Sequence, residues 1–455
     1  MKIIIEGAGA VGTHLAKMLS AEANDITVID DDPGRIAHLA SSDVVTVLGK
    51  LSSIKVMRDA GCDEADLFIA VNPHTAQSVN LVSALIAKRL GARRVIARIN
   101  DESYLIPENK LMFKDMGIDM LFYPEKSASD EIVDMLRRSA STDSMDFARG
   151  RLQLAVFKLD DDSPVLDMNV SEFTSQVSAV NSEVQFRIIA ITRKDETIIP
   201  KSDTRFKYMD HLYIMCRREG LPVLMKFLGL ESVTVRRVMI LGGSEVGEMT
   251  AAQLAKDPSI ESIKIIDMNR ERCMAMSERL PDKVQVSVGD IRNSDFLVEE
   301  NIRSYDAVVS VAGNDEANIL TCVVARKFGV GRVIAQVENI EYIKLAEEMG
   351  VDVVINKKLI TASRIFKFTL SDKVRYVRYM SGTDAEVLEY TASPGSRITR
   401  APLKDIEFPR NAIIGGVIRG SEAMIAVGST HVEPYDRVAV FALPEAVRDV
   451  DRFFK

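Results

Sequence analysis

The 455-residue sequence has no tryptophan and only 6% aromatic residues, which argues against an oligonucleotide-stacking platform or a lectin-like groove. Its four cysteines, Cys62, Cys216, Cys273 and Cys322, are scattered with no CxxC spacing. They fit neither a zinc site nor a disulfide framework, and they suit a reducing compartment. A basic excess is missing too: 58 Lys and Arg against 66 Asp and Glu leave a net charge of −8, the wrong sign for a general nucleic-acid binder. Low-complexity tracts are absent. The longest stretch free of Asp, Glu, Lys and Arg is the 21 residues from Leu67 to Ala87, interrupted by Asn72, Pro73, His74, Gln77 and Asn80. A bilayer core penalises those polar groups heavily, so the stretch reads as a buried strand at 67–71, a loop with His74 as an exposed turn residue, and an amphipathic helix. Met1–Ile5 runs straight into a glycine loop and reads as a strand, being too short for a signal peptide.

What remains is an ordinary folded composition, 47% hydrophobic and 27% charged. At about 100–200 residues per domain the length allows two to four domains. Internal repetition narrows this. Lys2–Gly12 is echoed by Arg237–Gly247, 235 positions on; Asp30 by Asp267; Val95-Ile96-Ala97 by Val333-Ile334-Ala335; Met116–Asp119 by Met349–Asp352. A second repeat runs at an offset of 226: Ile191-Thr192-Arg193, Thr204 and Asp210 match Val417-Ile418-Arg419, Thr430 and Asp436. Around it, residues 151–216 and 377–442 carry alternating β-type runs suited to a small half-buried sheet. The layout is one two-domain module written twice, divided as 1–136, 150–228, 234–366 and 374–455. Arg137–Gly150 and the turn at Ser371-Asp372-Lys373 are expected to be linkers.

Each large unit alternates short apolar runs with helical segments. Strands are expected at 2–5, 26–29, 44–48, 67–71, 95–99 and 119–122, the rhythm of a doubly wound parallel sheet of Rossmann type, followed by a small α+β domain. Gly7-Ala8-Gly9-Ala10-Val11-Gly12 lies between the first strand and a helix expected from Val11 to about Ala21. A lone GxGxxG is weak. Here a strand precedes it, a helix follows it, and Asp30 ends the second strand 18 residues past Gly12. That is the dinucleotide fingerprint in its context: Gly7 for the tight turn, Gly9 for close approach of a pyrophosphate, Gly12 for helix–strand packing. Asp30 can accept ribose hydroxyls and disfavours a 2′-phosphate, so NAD(H) or an adenine nucleotide is preferred over NADP. Asp31 and Asp32 read as solvated turn residues, Asp31 being kept in the candidate site. Arg98, at the carboxyl end of the fifth strand, would neutralise phosphates or else pair with Asp101 or Glu102. Asn72 and Pro73 would line the crevice or simply make a turn.

The second unit reads as a weaker copy, with Gly242-Gly243-Ser244-Glu245-Val246-Gly247 and Asp267. Ser244 crowds the pyrophosphate position, Glu245 adds negative charge, and Gln336 replaces Arg98. The five histidines, His14, His38, His74, His211 and His431, do not recur between repeats and none has a catalytic setting. Cys273 and Cys322 occupy positions that suit packing. A ligand-responsive regulator therefore explains the chain more simply than its rival, a soluble NAD-dependent oxidoreductase; a regulator of a different transporter is a third reading.

Laid out in order, these motifs resemble the nucleotide-binding regulatory subunits of bacterial Trk potassium-uptake systems, built from tandem RCK (regulator of potassium conductance) domains. The resemblance rests on Lys2–Gly12, Asp25–Asp30, Ala60–Asp66, Arg94–Ile99, Pro124-Glu125, Ile413–Gly420 and Val450–Phe454. It implies a cytoplasmic, membrane-peripheral protein that is no enzyme. It implies a ring of RCK domains, a homotetramer contributing eight, docked on a potassium-channel-like membrane subunit and gated by NAD(H) or ATP/ADP. It also implies that Glu125 helps hold a cation beside the phosphates, against a surface or helix-capping carboxylate. Three departures stand out: Glu6 where an apolar residue is usual, Gly49-Lys50 for Gly-Asp (kept as Gly289-Asp290), and Ala76-Gln77 for an acidic pair (kept as Asp315-Glu316).

Overall fold

The computed structural model describes all residues except 22–23, 74–75, 138–142, 148–150, 195, 231–234, 367, 369–373 and 380–384. His74 and the Ser371–Lys373 turn lie outside the described residues. Four sheets organise the described residues. The first holds β1 (Lys2–Glu6), β2 (Asp25–Asp30), β3 (Val45–Leu48), β4 (Leu67–Ala70), β5 (Arg94–Arg98) and β6 (Met120–Phe122) in the order β3-β2-β1-β4-β5-β6. All its pairings are parallel. This is the doubly wound order whose direction reverses between β1 and β4, where ligand crevices form. The strands read as apolar runs because both faces are covered by helices.

The second sheet is antiparallel, ordered β10-β9-β11-β8-β7 from β7 (Asp143–Phe147), β8 (Leu152–Lys158), β9 (Phe186–Arg193), β10 (Glu196–Ile198) and β11 (His211–Arg217). Expected as linker, Arg137–Gly150 thus supplies an edge strand, β7, that pairs with β8. The third sheet repeats the first: β12 (Arg237–Leu241), β13 (Ser262–Asp267), β14 (Val284–Val288), β15 (Ala307–Ser310), β16 (Arg332–Gln336) and β17 (Val353–Ile355), ordered β14-β13-β12-β15-β16-β17. The fourth repeats the second, with β18 (Val374–Tyr379), β19 (Glu386–Thr391), β20 (Ala412–Arg419), β21 (Glu422–Ile425) and β22 (Arg437–Ala442), ordered β18-β19-β22-β20-β21. The expected fold class, two Rossmann-like sheets each followed by a small antiparallel sheet, is the one observed.

The chain divides into two compact units, residues 1–128 with 357–369 and residues 129–356 with 370–455. In the first unit the Rossmann core runs through Ile4, Ile29, Cys62, Phe68, Ala84 and Val95. The helix Lys357–Phe366, which follows β17 in sequence, belongs to this unit and packs on the helix Ala10–Ala21. In the second unit the two antiparallel sheets share one core: Leu154, Tyr213 and Met215 pack with Val387, Ala439 and Phe441, and the Tyr213 and Phe441 rings lie 5.5 Å apart. A side chain at Gly415 would strike Met215 and one at Gly416 would strike Leu152, which explains the glycine pair of the family-like run 413–420.

Residues that recur between the antiparallel repeats are structural. Arg193 clamps Asp210 with both Nε and Nη2 at 2.8 Å, and Arg419 clamps Asp436 in the same manner. Thr204 and Thr430 each accept a hydrogen bond from the backbone three residues upstream. No helix among the described residues is long and apolar enough to cross a membrane.

Candidate functional site

The first crevice forms at the carboxyl ends of β1, β4 and β5. Gly7 has φ +110°, a conformation that disfavours any side chain, and an added Cβ would sit 2.9 Å from Asn72. At Gly12 a Cβ would fall 1.7 Å from the Gly7 carbonyl oxygen, so only glycine lets the helix Ala10–Ala21 start this close to β1. Gly9 differs: nothing lies within 4 Å of its Cβ position. The loop is thus closed by Gly7 and Gly12 and open at Gly9, the geometry that close approach of a phosphate needs. Ala10 and Val11 begin the helix.

Asp30 is fully buried. Its Oδ2 accepts from the Ala8 N–H at 2.6 Å and its Oδ1 from the Asp32 N–H at 2.8 Å, with Arg35 3.6 Å away. The carboxylate that the sequence offers to a ribose therefore also fixes the glycine loop; an ionised carboxylate has about four acceptor sites, so two engaged N–H groups leave capacity. Asp31 is exposed, and Asp32 caps the helix Pro33–Ala37 instead of merely facing solvent. The second half is superposable in chemistry: Asp267 accepts from Gly243 N–H at 2.7 Å and Asn269 N–H at 2.8 Å, beside Arg272 at 3.2 Å. Sequence reasoning missed Arg35 and Arg272; the signal was an arginine five residues after each second-strand acid.

Asn72 is buried and is a network member rather than an open loop contact. Its N–H and Nδ2 donate to Asn80 Oδ1, and its Nδ2 also reaches Glu6 Oε2 at 3.3 Å. Asn80 donates onward to the carbonyls of Asn72 and Arg98, which ties the end of β4 to the end of β5. Asn318 makes the equivalent bonds with Ala312 and Gln336. Pro73 is half-buried beside it.

Arg98 pairs with neither Asp101 nor Glu102. Its Nη2 donates to Glu125 Oε1 at 3.1 Å, and Lys357 Nζ lies 3.5 Å from the same oxygen. Asp101 instead caps the turn at Ser103, and Glu102 meets Lys126 at 3.6 Å. Glu125 is buried, so it is not a plain surface carboxylate, and its partners here are cationic side chains. No group of three or more His, Cys, Asp or Glu among the described residues is arranged to hold a metal.

The three departures of the first half have structural answers. Glu6, where the second half has Leu241, is fully buried and accepts from the Ser52 N–H at 2.8 Å. In the second half the equivalent N–H, that of Arg292, is accepted by Asp290 at 2.9 Å. The carboxylate has moved from the turn itself to β1, and Lys50 stands in the vacated position. Burial pushes the Glu6 carboxyl above its ordinary 4.5, opposed by hydrogen bonding from Ser52, Ser83 and Asn72. Gln77, likewise, accepts from the Asn100 N–H at 2.6 Å, the role that Asp315 plays toward the Glu338 N–H at 2.9 and 3.0 Å.

The second crevice is closed where the first is open. Ser244 caps its helix by accepting from the Gly247 N–H at 3.3 Å and donates to the Val311 carbonyl at 2.8 Å. Glu245 is exposed in the first helical turn, where an anion would otherwise sit, and Val246 is buried. Gly242, at φ +114°, and Gly247 keep the turn and the close packing. Gln336 donates to Glu338 at 3.0 Å in place of an arginine.

All four cysteines are free and buried, as the packing positions expected for Cys273 and Cys322 require, and burial pushes the Cys62 and Cys216 thiols up to about 12. His14 and His211 are lowered to about 4, by burial first and then by neighbouring lysines, which leaves them neutral near pH 7.

The TrkA-N domain family model matches residues 3–124 and again 238–357, the two halves that carry these crevices, and the TrkA-C domain model matches 154–229. The chain belongs to the TrkA family. It is 32% identical over 457 residues to a Trk system potassium uptake protein TrkA homolog of Archaeoglobus fulgidus, covering 100% of both chains. To the Trk system potassium uptake protein TrkA of Halomonas elongata it is 31% identical, covering 100% of this chain and 99% of that one. These TrkA relatives are potassium uptake proteins rather than enzymes, which disposes of the oxidoreductase reading. Among solved structures, the GsuK RCK domain shares the fold at TM-score 0.60 and 16% identity, covering 99% of this chain and 94% of that one. A GsuK channel bound to NAD matches at TM-score 0.60 and 17% identity, covering 100% of this chain and 78% of that one. The chain thus shares the fold of the GsuK RCK domain.

Proposed function

We propose that this TrkA-family chain is the cytoplasmic regulatory subunit of a potassium-uptake system, peripheral to the membrane, and that nucleotide binding at its first crevice gates a potassium-channel-like membrane subunit. The observation that carries the reading is the glycine loop closed at Gly7 and Gly12, open at Gly9, and held by Asp30. The binding residues are Gly7, Ala8, Gly9, Ala10, Val11, Gly12, Asp30, Asp31, Asn72, Pro73 and Arg98. The second set, Gly242, Gly243, Ser244, Glu245, Val246, Gly247 and Asp267, forms a weaker site. The ligand is NAD(H) or ATP/ADP; a structural neighbour bound to NAD and another bound to ADP support both. The four domains are 1–136, 150–228, 234–366 and 374–455, with one sheet centred in each and β7 of the second sheet lying ahead of residue 150, and four chains close a ring of eight.

Gating follows if the ligand binds one ring conformation better than the other, since equal affinity shifts nothing. An affinity ratio of about 100 supplies roughly 2.7 kcal/mol per site. The test is a calorimetric titration of the full chain with NADH, ATP and ADP beside Gly9→Val. The added side chain enters open space, so the variant folds with an unchanged thermal midpoint and loses binding. Absence of binding to the unaltered protein, or undiminished binding to Gly9→Val, removes the proposal.

A further inference from the structure

The first unit contains a residue from the far end of the sequence, and its position assigns it a task. Lys357 opens the helix Lys357–Phe366 and lies 3.5 Å from Glu125 Oε1, which also accepts from Arg98 Nη2 at 3.1 Å. Arg98 and Glu125 side chains are nearly buried, at 12% and 10% exposure, and Lys357 is 23% exposed. One carboxylate therefore faces two cations where little water reaches. Two cationic side chains gathered at one place raise the positive potential that an arriving anion meets. The arrangement is also incomplete in hydrogen bonds: Arg98 Nε and Glu125 Oε2 are buried with no partner.

Geometry places Arg98 at the crevice. Arg98 ends β5, its carbonyl held by Asn80, and β5 is separated from β1 only by β4. Two strand spacings put the end of β5 about 10 Å from the glycine loop, within reach of the far phosphates of a nucleotide seated there. The neighbouring Lys358 adds to the field, since it helps to lower the His14 ring on the glycine-loop helix. The second crevice has lost this grouping, because Gln336 stands for Arg98.

We propose that Lys357 is a phosphate-binding residue of the first crevice, joining Arg98 on an adenine nucleotide with two or more phosphates, while Glu125 is the counter-ion that both cations hold until the phosphates replace it. This rests on the nucleotide reading of the first crevice. It makes that site dependent on the second half of the chain, 232 residues beyond Glu125.

The test titrates the full chain with ATP, ADP, NADH and, as a phosphate-free probe, adenosine, at two salt concentrations. A charge-assisted contact of this kind corresponds to roughly 10- to 100-fold in affinity. Lys357→Ala is expected to weaken ATP or ADP by about 10-fold, Lys357→Glu by more, and to flatten the salt dependence, while Lys357→Arg holds affinity and adenosine binding is unchanged. Glu125→Gln is expected to tighten phosphate-bearing ligands several-fold. Unaltered ATP and ADP affinity in Lys357→Glu, with an unchanged thermal midpoint, overturns the role of Lys357. Weakened binding in Glu125→Gln overturns the counter-ion role. If the unaltered protein binds none of the nucleotides, it is the crevice reading that fails.

Discussion

At the scale of the residue, the glycine loop was legible because its requirements are local. Gly7 and Gly242 answer to their own positive φ, and Gly12 and Gly247 to the carbonyl oxygen of the glycine five residues before them, and the motif encodes both. Glu6 was visible only as an oddity, since the group that explains it, the Ser52 N–H, lies 46 residues away. Its pH behaviour follows from burial. A carboxyl whose native value is raised binds its proton more tightly when folded, so its contribution to stability is full below the ordinary 4.5 and is lost as pH rises through the native value. Glu6→Gln keeps an acceptor for the Ser52 N–H and removes the titration. Chemical denaturation between pH 4.5 and 7 is expected to show a shallower fall in stability with rising pH for Glu6→Gln than for the unaltered protein. Parallel profiles would mean that Glu6 does not titrate in this window.

At the scale of the element, helices and strands fell where apolar runs and turn residues put them, with ends shifted by a residue or so: the first helix begins at Ala10, not Val11. The strand β7 escaped because Asp143-Ser144-Met145-Asp146-Phe147 is half polar, an edge strand with two inward residues, Met145 and Phe147. The turn after β3 is more instructive, since both halves satisfy one N–H with a carboxylate drawn from different elements. Glu6→Leu, which copies Leu241, strands the Ser52 N–H and is expected to cost about 1–3 kcal/mol. Adding Lys50→Asp recreates the Asp290 arrangement and is expected to recover most of that loss. Thermal and denaturant melts of the single and double variants measure the coupling; a double variant no more stable than Glu6→Leu would refute the exchange.

At the scale of the whole molecule, repeat arithmetic disclosed a module written twice, because duplicated segments keep their spacing even where residues diverge. It did not disclose that the helix Lys357–Phe366 belongs with residues 1–128, nor that both antiparallel sheets share a core. Those are pairings between distant segments, and nothing in local periodicity encodes them. The duplication also predicts unequal partners. The first crevice has an open Gly9, Arg98 and a neighbouring Lys357; the second has a Ser244 turned into its own helix cap, Glu245 at the helix start and Gln336. A nucleotide is therefore expected to bind with a stoichiometry near one tight site per chain. Ser244→Gly alone leaves the count at one, since the counter-charge is still missing, whereas Ser244→Gly with Gln336→Arg strengthens the second site. Calorimetric stoichiometry reads this directly. Two equal sites in the unaltered protein would show that neither Ser244 nor Gln336 weakens the second crevice.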